Sequence, residues 1–445
     1  MKRLISAALA LVMLFSLAAC GDTKTDSASA GAAALAEAEY PERAAYPDEA
    51  KLSGEKLDSA YDAWYADREE AGAAGEAANG AMDDYIRSAL PALLGGGDGE
   101  NSIVSPLNIY LALAMLAEVT DGNSRAQILS LLGADGIEAL RETAGNLWTA
   151  NYVNDGASAC ILADSLWLSD SGSYNSDTLA RLAEIYRASA YSGEMGSDAL
   201  NEALRSWINE QTGSLLAEQA SGLSLMPETL LALASTVYFR GAWSDPFSES
   251  STAEGVFHSP AGDVTCEFLK EGQSNNYYTG SGFTAVCKYL DSGYTMWFLL
   301  PDEGVTPEEL LQNPDTTEFL ISPGTGAESR FVTVNFSLPK FDAASDADLV
   351  GALQSLGVTG VFDPSAADFT PLTDSDAFLS QVKHAARVAV DEEGVTAASY
   401  TVMMIETTSL PPVEEEDFTL DRPFLFAVTG SGHALLFAGI VNTPV

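Results

Sequence analysis

The residue types that carry out acid–base and nucleophilic catalysis are scarce in this sequence. There are three histidines, His258, His384 and His433. None of them lies in an HExxH pattern, and the chain contains no GxSxG, GxxxxGK[ST] or GxGxxG segment. Zinc proteases, α/β-type serine hydrolases, P-loop nucleotide hydrolases and dinucleotide-dependent enzymes each need one of these arrangements. The sequence therefore predicts a protein that is not an enzyme and that has no cofactor.

The cysteines do not indicate a metal site. Apart from Cys20 near the N-terminus, Cys160, Cys266 and Cys287 each lie in an apolar, strand-like run. No pair has metal-ligand spacing, so we expect no bound metal. Three thiols cannot all pair within one chain, and we expect buried free thiols, with a Cys266–Cys287 bridge as the open alternative.

The segment from 390 to 418, VDEEGVTAASYTVMMIETTSLPPVEEEDF, changes character several times. An acidic turn ends at Gly394, small and β-branched residues follow from Val395 to Ser399, and apolar residues run from Val402 to Ile405. Such residues favour an extended strand. The segment lies between two acidic breaks, however, and no neighbouring sequence is an obvious partner for it. The pattern predicts a strand without a local pairing partner.

The N-terminus has the pattern of a targeting segment. A basic head at Lys2 and Arg3 precedes an apolar stretch from Leu4 to Leu17, which is too short for a stable membrane span. The following Leu-Ala-Ala-Cys resembles the lipobox of bacterial lipoproteins, in which the cysteine receives a lipid. We therefore expect residues 1–19 to be a lipoprotein signal peptide and Cys20 to anchor the chain on the extracellular face of the cell membrane. An ordinary secretory signal cut nearby is the alternative.

Composition and periodicity divide the rest of the chain into two parts. The formal charge of −43 argues against nucleic acid and against an anionic membrane surface as partners. Residues 20–75 are rich in small and acidic residues, which predicts a flexible acidic stalk behind the lipidated cysteine. Residues 76–445 are patterned as one folded domain, with helices mainly first and strands mainly later, which predicts the α+β class. We expect a monomer.

Six segments of this domain resemble, in the same order, segments of the serpin family. Each segment alone would be a weak match, but the six together are highly specific. They are NSIVSPLNIYLALAML (101–116), LASTVYFRGAWSDPF (233–247), SLPKF (337–341), LGVTGVFDPSAADFTPLT (356–373), SQVKHAARVAVDEEG (380–394) and DRPFLFAV (421–428). The resemblance implies the serpin fold, which has a large, mainly antiparallel central sheet, smaller sheets and an exposed reactive-centre loop, here at about 394–412.

The resemblance also explains the strand without a partner. In serpins this stretch holds a hinge and a loop that enters the central sheet after a protease cuts it. The implied scissile bond joins Thr408 to Ser409, with a second candidate cut near Met404 or Ile405. Two residues depart from the family pattern, namely Val395, where threonine is usual, and Tyr400, where a small residue is usual. The implied hinge residues are Glu392, Glu393, Gly394, Val395, Thr396, Ala397, Ala398 and Ser399.

Two supporting sites follow from matching positions in the family. The resemblance implies a polar cluster that controls opening of the sheet, formed by Ser105, Asn108, Ser235 and His384. Serine and asparagine stand in exchanged places at 108 and 235, which preserves the hydrogen-bonding groups. It also implies a loop-entry region formed by Trp243, Lys340 and Glu392. Without the family context, His384 would be an ordinary buried histidine, and Lys340–Glu392 a surface ion pair of under ~1 kcal/mol.

The implied function is suicide inhibition of an extracellular serine protease, with cysteine proteases as a second target class. A threonine before the cut suits elastase-like or subtilisin-like enzymes, whose primary pockets are small or apolar. The alternative is a non-inhibitory serpin-fold protein that binds partners or acts as a scaffold at the cell surface. Charged residues or proline in the hinge would favour that alternative, and the hinge after Gly394 has neither. A lipid-anchored hydrolase ranks third.

Overall fold

The computed structural model describes residues 31–95, 99–395 and 414–444, and helices and strands both contribute extensively to it. The helices are α1 Glu55–Ala81, α2 Asp83–Leu94, α3 Pro106–Val119, α4 Gly122–Leu131, α5 Ile137–Asn151, α6 Ser176–Ile185, α7 Asp198–Gln211, α8 Ala217–Ser221, α9 Pro307–Leu311, α10 Pro314–Ile321 and α11 Val350–Ser355. Most of them precede the long strands, and the predicted α+β class is confirmed. None of these helices combines the length and the hydropathy needed to cross a bilayer.

The strands follow the apolar runs of the sequence. They are β1 Ala33–Ala36, β2 Ser102–Val104, β3 Val153–Asn154, β4 Ala159–Ser169, β5 Ala188–Gly193, β6 Leu231–Ala242, β7 Ala253–Ser259, β8 Gly262–Thr279, β9 Phe283–Tyr289, β10 Thr295–Pro301, β11 Glu328–Pro339, β12 Phe341–Asp348, β13 Lys383–Val390, β14 Gly394–Val395, β15 Glu415–Thr419, β16 Phe424–Thr429 and β17 Leu435–Val441.

Within the described residues these strands form two sheets. The first has the order β1-β5-β4-β6-β14-β13-β12, with β3 added beside β4. Only β4 and β5 run parallel in it, so this sheet is mainly antiparallel. The second has the order β15-β11-β8-β9-β10-β16-β17-β2, with β7 added beside β8. We call them the eight-stranded and the nine-stranded sheet.

Helix α3 lies between the two sheets and fixes their common core. It begins where the Ser105 hydroxyl caps it by accepting a hydrogen bond from the Asn108 amide, at 3.3 Å, and Pro106 occupies the first turn. Nearly all of its residues are buried, and the helix packs against β6 on one side and β17 on the other. Because α3 contacts both sheets, any movement of one sheet relative to the other would change the packing of this helix.

The three cysteines that lie outside the signal region are free and buried. Cys266 and Cys287, for which the sequence left a bridge open, are not bonded to each other. Burial raises the pKa of Cys160 to about 12 and that of Cys287 to about 11, which keeps both as unreactive thiols.

The prediction of a flexible stalk over residues 20–75 is wrong for the described part of that segment. Strand β1 pairs with β5 and extends the eight-stranded sheet, and α1 crosses the predicted domain boundary at 76 and packs against α5. Composition misled the prediction because a few aromatic residues in an otherwise small and acidic segment supply the packing. Tyr40 stacks on Tyr152, and the Trp64 indole donates a hydrogen bond to the Asp155 carboxylate at 3.0 Å.

Two neighbouring aromatic residues on α1 provide a test of this packing. Trp64 is 6% exposed, whereas Tyr65 is 62% exposed. We expect Trp64→Ala to lower the free energy of unfolding by about 3 kcal/mol, because a buried indole is lost. Tyr65→Ala should lower it by less than about 1 kcal/mol. Chemical denaturation of both variants measures the difference. Equally small losses of unfolding free energy would support the original prediction of a flexible stalk.

Candidate functional site

The structure describes only part of the predicted hinge and loop. Glu392, Glu393, Gly394 and Val395 are described. Val395, the last described residue before Glu414, lies in β14 of the eight-stranded sheet, and Glu415 begins β15 of the nine-stranded sheet. Thr396, Ala397, Ala398 and Ser399, the proposed cut at Thr408–Ser409, and Cys20 lie outside the described residues.

The first two residues of the loop already form a strand inside the eight-stranded sheet. Gly394 pairs with Ala242 and Val395 with Gly241 of β6, while Val395 also pairs with Val390 of β13. The Val395 side chain is buried. The short strand β14 therefore separates β6 from β13 at one end and provides the start of an additional strand.

Gly394 is required at this point because the backbone of β6 approaches it closely. A Cβ atom placed on Gly394 would lie 2.3 Å from the carbonyl oxygen of Gly241 and 2.8 Å from the Cα of Ala242. The backbone of Gly394 does not adopt a positive φ. Space between strands, rather than an unusual dihedral angle, thus explains the glycine.

The acidic turn before β14 is held by its own side chain and by the segment that follows β6. The Asp391 carboxylate accepts hydrogen bonds from the amides of Glu393 and Gly394, at 2.9 and 3.1 Å. The indole N–H of Trp243 donates to the Asp391 carbonyl at 2.9 Å, and the Trp243 amide donates to the Glu393 carbonyl at 2.8 Å. The Phe247 amide donates to the Glu392 carbonyl at 2.9 Å. These bonds fix the point at which the chain enters the sheet.

The structure brings the predicted ion pair together beside this turn. Lys340 Nζ lies 3.0 Å from Glu392 Oε2 and 3.3 Å from Glu267 Oε2, and Thr252 donates a hydrogen bond to Glu392. Burial alone would raise the pKa of Glu392, but the hydrogen bonds from Lys340 and Thr252 lower it overall. The carboxylate therefore stays ionised and ties the turn to β7, β8 and the β11–β12 junction.

Beyond β14 the two flanking strands face a cavity. In the described part of the sheet, β6 and β13 are joined only through β14, while β4 and β12 occupy their other edges. The cavity has a volume of about 440 Å³ and is lined by residues 231–236 of β6, by Lys383 and Ala385 of β13, and by side chains of α7. Parts of both flanking strands thus line this cavity, at a distance from Gly241 and Val390, the residues that pair with β14.

Helix α3 is hydrogen-bonded to both sides of this cavity through the predicted polar cluster. The backbone amide of Ser105 donates to His384 Nε2 on β13 at 3.1 Å. The hydroxyl of Ser235 on β6 donates to the side-chain oxygen of Asn108. The exchanged serine and asparagine thus bond to each other. The cluster holds β6 and β13 at a fixed separation across the helix N-terminus.

Burial makes His384 a neutral acceptor. It lowers the pKa of this histidine to about 4. Since Nε2 accepts the Ser105 amide hydrogen, the proton of the neutral ring is on Nδ1. His384 therefore keeps its hydrogen bond throughout the physiological pH range.

Comparison with known families decides the identity of this arrangement. Residues 90–444 match the model of the family described as serpin (serine protease inhibitor). The chain belongs to the serpin family. It is 32% identical to Serpin-ZXA from rice (Oryza sativa subsp. japonica) over 381 residues, which cover 80% of this chain and 93% of the relative. It is 28% identical to Serpin-ZX from Arabidopsis thaliana, over 78% of this chain and 92% of that relative.

The solved structures confirm the serpin fold. The native state of tengpin, a thermophilic serpin, superposes with a TM-score of 0.73 at 26% identity, covering 82% of this chain and 93% of tengpin. Thyroxine-binding globulin in complex with thyroxine superposes with a TM-score of 0.70 at 20% identity, covering 82% of this chain and 99% of that protein. The second likeness concerns the fold alone.

Sequence reasoning missed one member of the polar cluster in this serpin, Asp164. It lies on β4 directly opposite Ser235, is buried, and has one carboxylate oxygen without a hydrogen-bond partner. Burial raises its pKa to about 7, and the Ser235 hydroxyl offsets part of that rise. An aspartate inside the long, otherwise apolar and small-residue run from Ala159 to Leu168 was the signal that could have revealed it.

The raised pKa of Asp164 predicts a pH-dependent stability. The folded protein keeps this carboxyl protonated up to about pH 7, whereas an unfolded aspartate ionises near pH 4. The contribution of Asp164 to the free energy of unfolding is therefore fully present below about pH 4 and is lost as the pH rises through 7. Asp164→Asn keeps the shape and removes the ionisation. We expect the variant to gain a few kcal/mol relative to the parent between pH 5 and pH 8.

Denaturant titrations of both proteins at pH 5 and pH 8 measure this change. Both proteins contain the same other carboxylates, so the pH dependence caused by these groups cancels when the two free energies of unfolding are subtracted. His384 titrates near pH 4 and stays outside the interval. A stability difference that is the same at both pH values would show that Asp164 is already ionised in the folded protein at pH 5, and would contradict its raised pKa.

Proposed function

We propose that this serpin is a suicide inhibitor of extracellular serine proteases, and that cleavage of its loop is followed by insertion of the loop into the eight-stranded sheet. One observation carries the proposal. Strand β14 is already seated between β6 and β13, and in the described residues it is the only strand that joins them. Residues that follow Val395 can extend β14 without any new topology. The protein contributes no catalytic group, and the protease nucleophile performs the attack.

The free energy for this step comes from completing the sheet. If about ten ladder hydrogen bonds form at ~1 kcal/mol net each, insertion releases on the order of 10 kcal/mol before side-chain burial and ordering entropy. That is comparable to the stability of a whole domain. The uncut form is then a kinetically trapped state.

The hinge residues suit insertion. Val395 is apolar and already buried, and the residues from Thr396 to Ser399 are small or β-branched. No charge and no proline occurs between Gly394 and Ile405. A charged side chain or a missing amide hydrogen in this stretch would oppose strand formation.

The proposed scissile bond is Thr408–Ser409, and the proposed targets are elastase-like or subtilisin-like enzymes. Residues 394–412 contain neither lysine nor arginine, so the loop offers no basic residue to a trypsin-like pocket. Cysteine proteases form a second target class.

We also propose that Cys20 is lipidated and holds the inhibitor on the outer face of the membrane. In cells that secrete the protein, Cys20→Ser should move it from the membrane fraction to the medium.

A protease assay tests inhibition directly. Incubation with an elastase-like and a subtilisin-like enzyme should give a covalent complex on a denaturing gel and a C-terminal peptide that begins at Ser409. Cleavage without any trapped enzyme would instead favour the non-inhibitory alternative. The large residue Tyr400, where the family usually has a small one, is the sequence feature that favours this alternative.

The Val395→Arg variant tests the hinge in the same assay. An arginine at this buried position would place a charge between β6 and β13, so the loop should be cut without trapping the enzyme. The matched control is Val256→Arg, because Val256 is exposed on β7. The control should inhibit like the parent. An unchanged Val395→Arg inhibitor would show that insertion does not begin at this residue.

Cleavage should also raise heat resistance. Adding on the order of 10 kcal/mol to the folded state raises the melting temperature by on the order of 20 °C. Calorimetry of the intact and the cut protein measures the rise, and Val395→Arg should show little of it. A cut parent protein that melts no higher than the intact one would contradict the insertion mechanism.

A further inference from the structure

A buried ion pair lies next to residues 243–247, the segment that is hydrogen-bonded to the Asp391–Glu393 turn. Lys288 on β9 donates hydrogen bonds to both carboxylate oxygens of Glu271 on β8, at 2.8 and 2.7 Å. The side chains are 2% and 13% exposed. Gln273 donates a further hydrogen bond to Glu271 at 2.7 Å. Lys288 is thus a fully enclosed cation with one fixed partner.

Such a pair is a weak source of stability. Burial lowers the pKa of Lys288 and raises that of Glu271, which means that the site opposes both charges, while their mutual attraction partly offsets this. Well-packed apolar residues of similar volume often stabilise a core as well as a buried ion pair does. The contacts of Lys288 indicate a role other than stability.

The Lys288 ammonium lies against two aromatic rings of the segment 243–247. It is 4.2 Å from the ring centre of Phe247 and 5.7 Å from that of Trp243. Both distances are within the range of cation–π attraction. Asp245, between these two aromatic residues in the chain, exerts a Coulombic influence on both members of the pair. The ion pair thus acts on the whole 243–247 segment.

The same segment supplies three hydrogen bonds to the Asp391–Glu393 turn. Two come from Trp243, through its indole N–H and its amide, and one comes from the Phe247 amide. The contacts form a continuous path from Glu271 to Lys288, then to the two rings, and then to the backbone from which β14 begins. The side-chain ion pair between Lys340 and Glu392 is a separate contact of the same turn.

We infer that Lys288 and Glu271 are a positioning pair for loop insertion, which holds Trp243 and Phe247 under the turn so that the chain enters between β6 and β13 in register. The inference rests on the proposed function for its consequence but not for its geometry. Without the pair, the turn detaches more often and β14 leaves the sheet. Insertion then starts later, and more of the acyl-enzyme is hydrolysed before the protease is trapped.

The test variant is Glu271→Gln with Lys288→Met, which removes both charges and leaves neither partner buried alone. The matched control is Glu118→Gln with Arg141→Met. Its carboxylate is also buried and lies 2.7 Å from Arg141, but this pair joins α5 to α3 away from the turn. Glu118 also pairs with Arg181 at 3.0 Å, so the control variant loses at least as many ion-pair contacts as the test variant and controls for a general loss of stability.

Hydrogen exchange on the intact protein tests the coupling without any protease. Peptides that cover residues 243–247 contain the two amides that donate to the turn. We expect them to exchange about tenfold faster in the Glu271–Lys288 variant and at nearly the parental rate in the control. Parental exchange in the test variant, or equal acceleration in both variants, would overturn the inference whether or not the protein inhibits proteases.

Inhibition then tests the consequence. The test variant should need at least about threefold more inhibitor per molecule of protease inactivated, while the rate of the first loop cleavage stays unchanged. The control should keep the parental ratio. An unchanged ratio in the test variant would overturn the positioning role. If the parent protein traps no protease at all, the proposed function fails, and the exchange experiment alone decides whether the pair fixes the turn.

Discussion

Among the described residues, the eight-stranded sheet is incomplete between two of its strands, and the rest of the site depends on how these strands are held. Strands β6 and β13 each use one edge to pair with a neighbour, and in the described residues only Gly394 and Val395 lie between their other edges. Backbone groups along such edges gain free energy when another strand joins them. The close approach of Gly394 to Gly241 follows from the position of β14 between these two edges.

An incomplete sheet needs contacts that keep it open at the correct separation. Helix α3 supplies them from behind, since one of its ends is bonded to β13 through His384 and to β6 through Ser235. These contacts use neutral groups in a buried site, where hydrogen bonds are strong and unpaired groups are costly. Asp164 is the exception, because one of its oxygens is unsatisfied. The cluster therefore combines satisfied hydrogen bonds with one unsatisfied carboxylate oxygen.

Two sets of charges act on the Asp391–Glu393 turn, which precedes β14. Lys340 contacts Glu392 near the surface, and Lys288 lies in the core beneath Trp243 and Phe247. The N-terminal segment forms one edge of the same sheet through β1, which pairs with β5 and contacts α6, while α1 packs against α5.

The sequence by itself determined the class of the fold, the long buried strands, the hinge composition and the four members of the polar cluster, because these are properties of local patterns and of matching segments. It also identified Lys340 and Glu392 as partners. Only the tertiary structure decided that residues 31–75 fold onto the domain, that Gly394 is needed for space, and that Asp164, Glu271 and Lys288 belong to the site. These facts depend on side chains far apart in the chain, whose burial and pairing arise only when separate strands and helices are packed together.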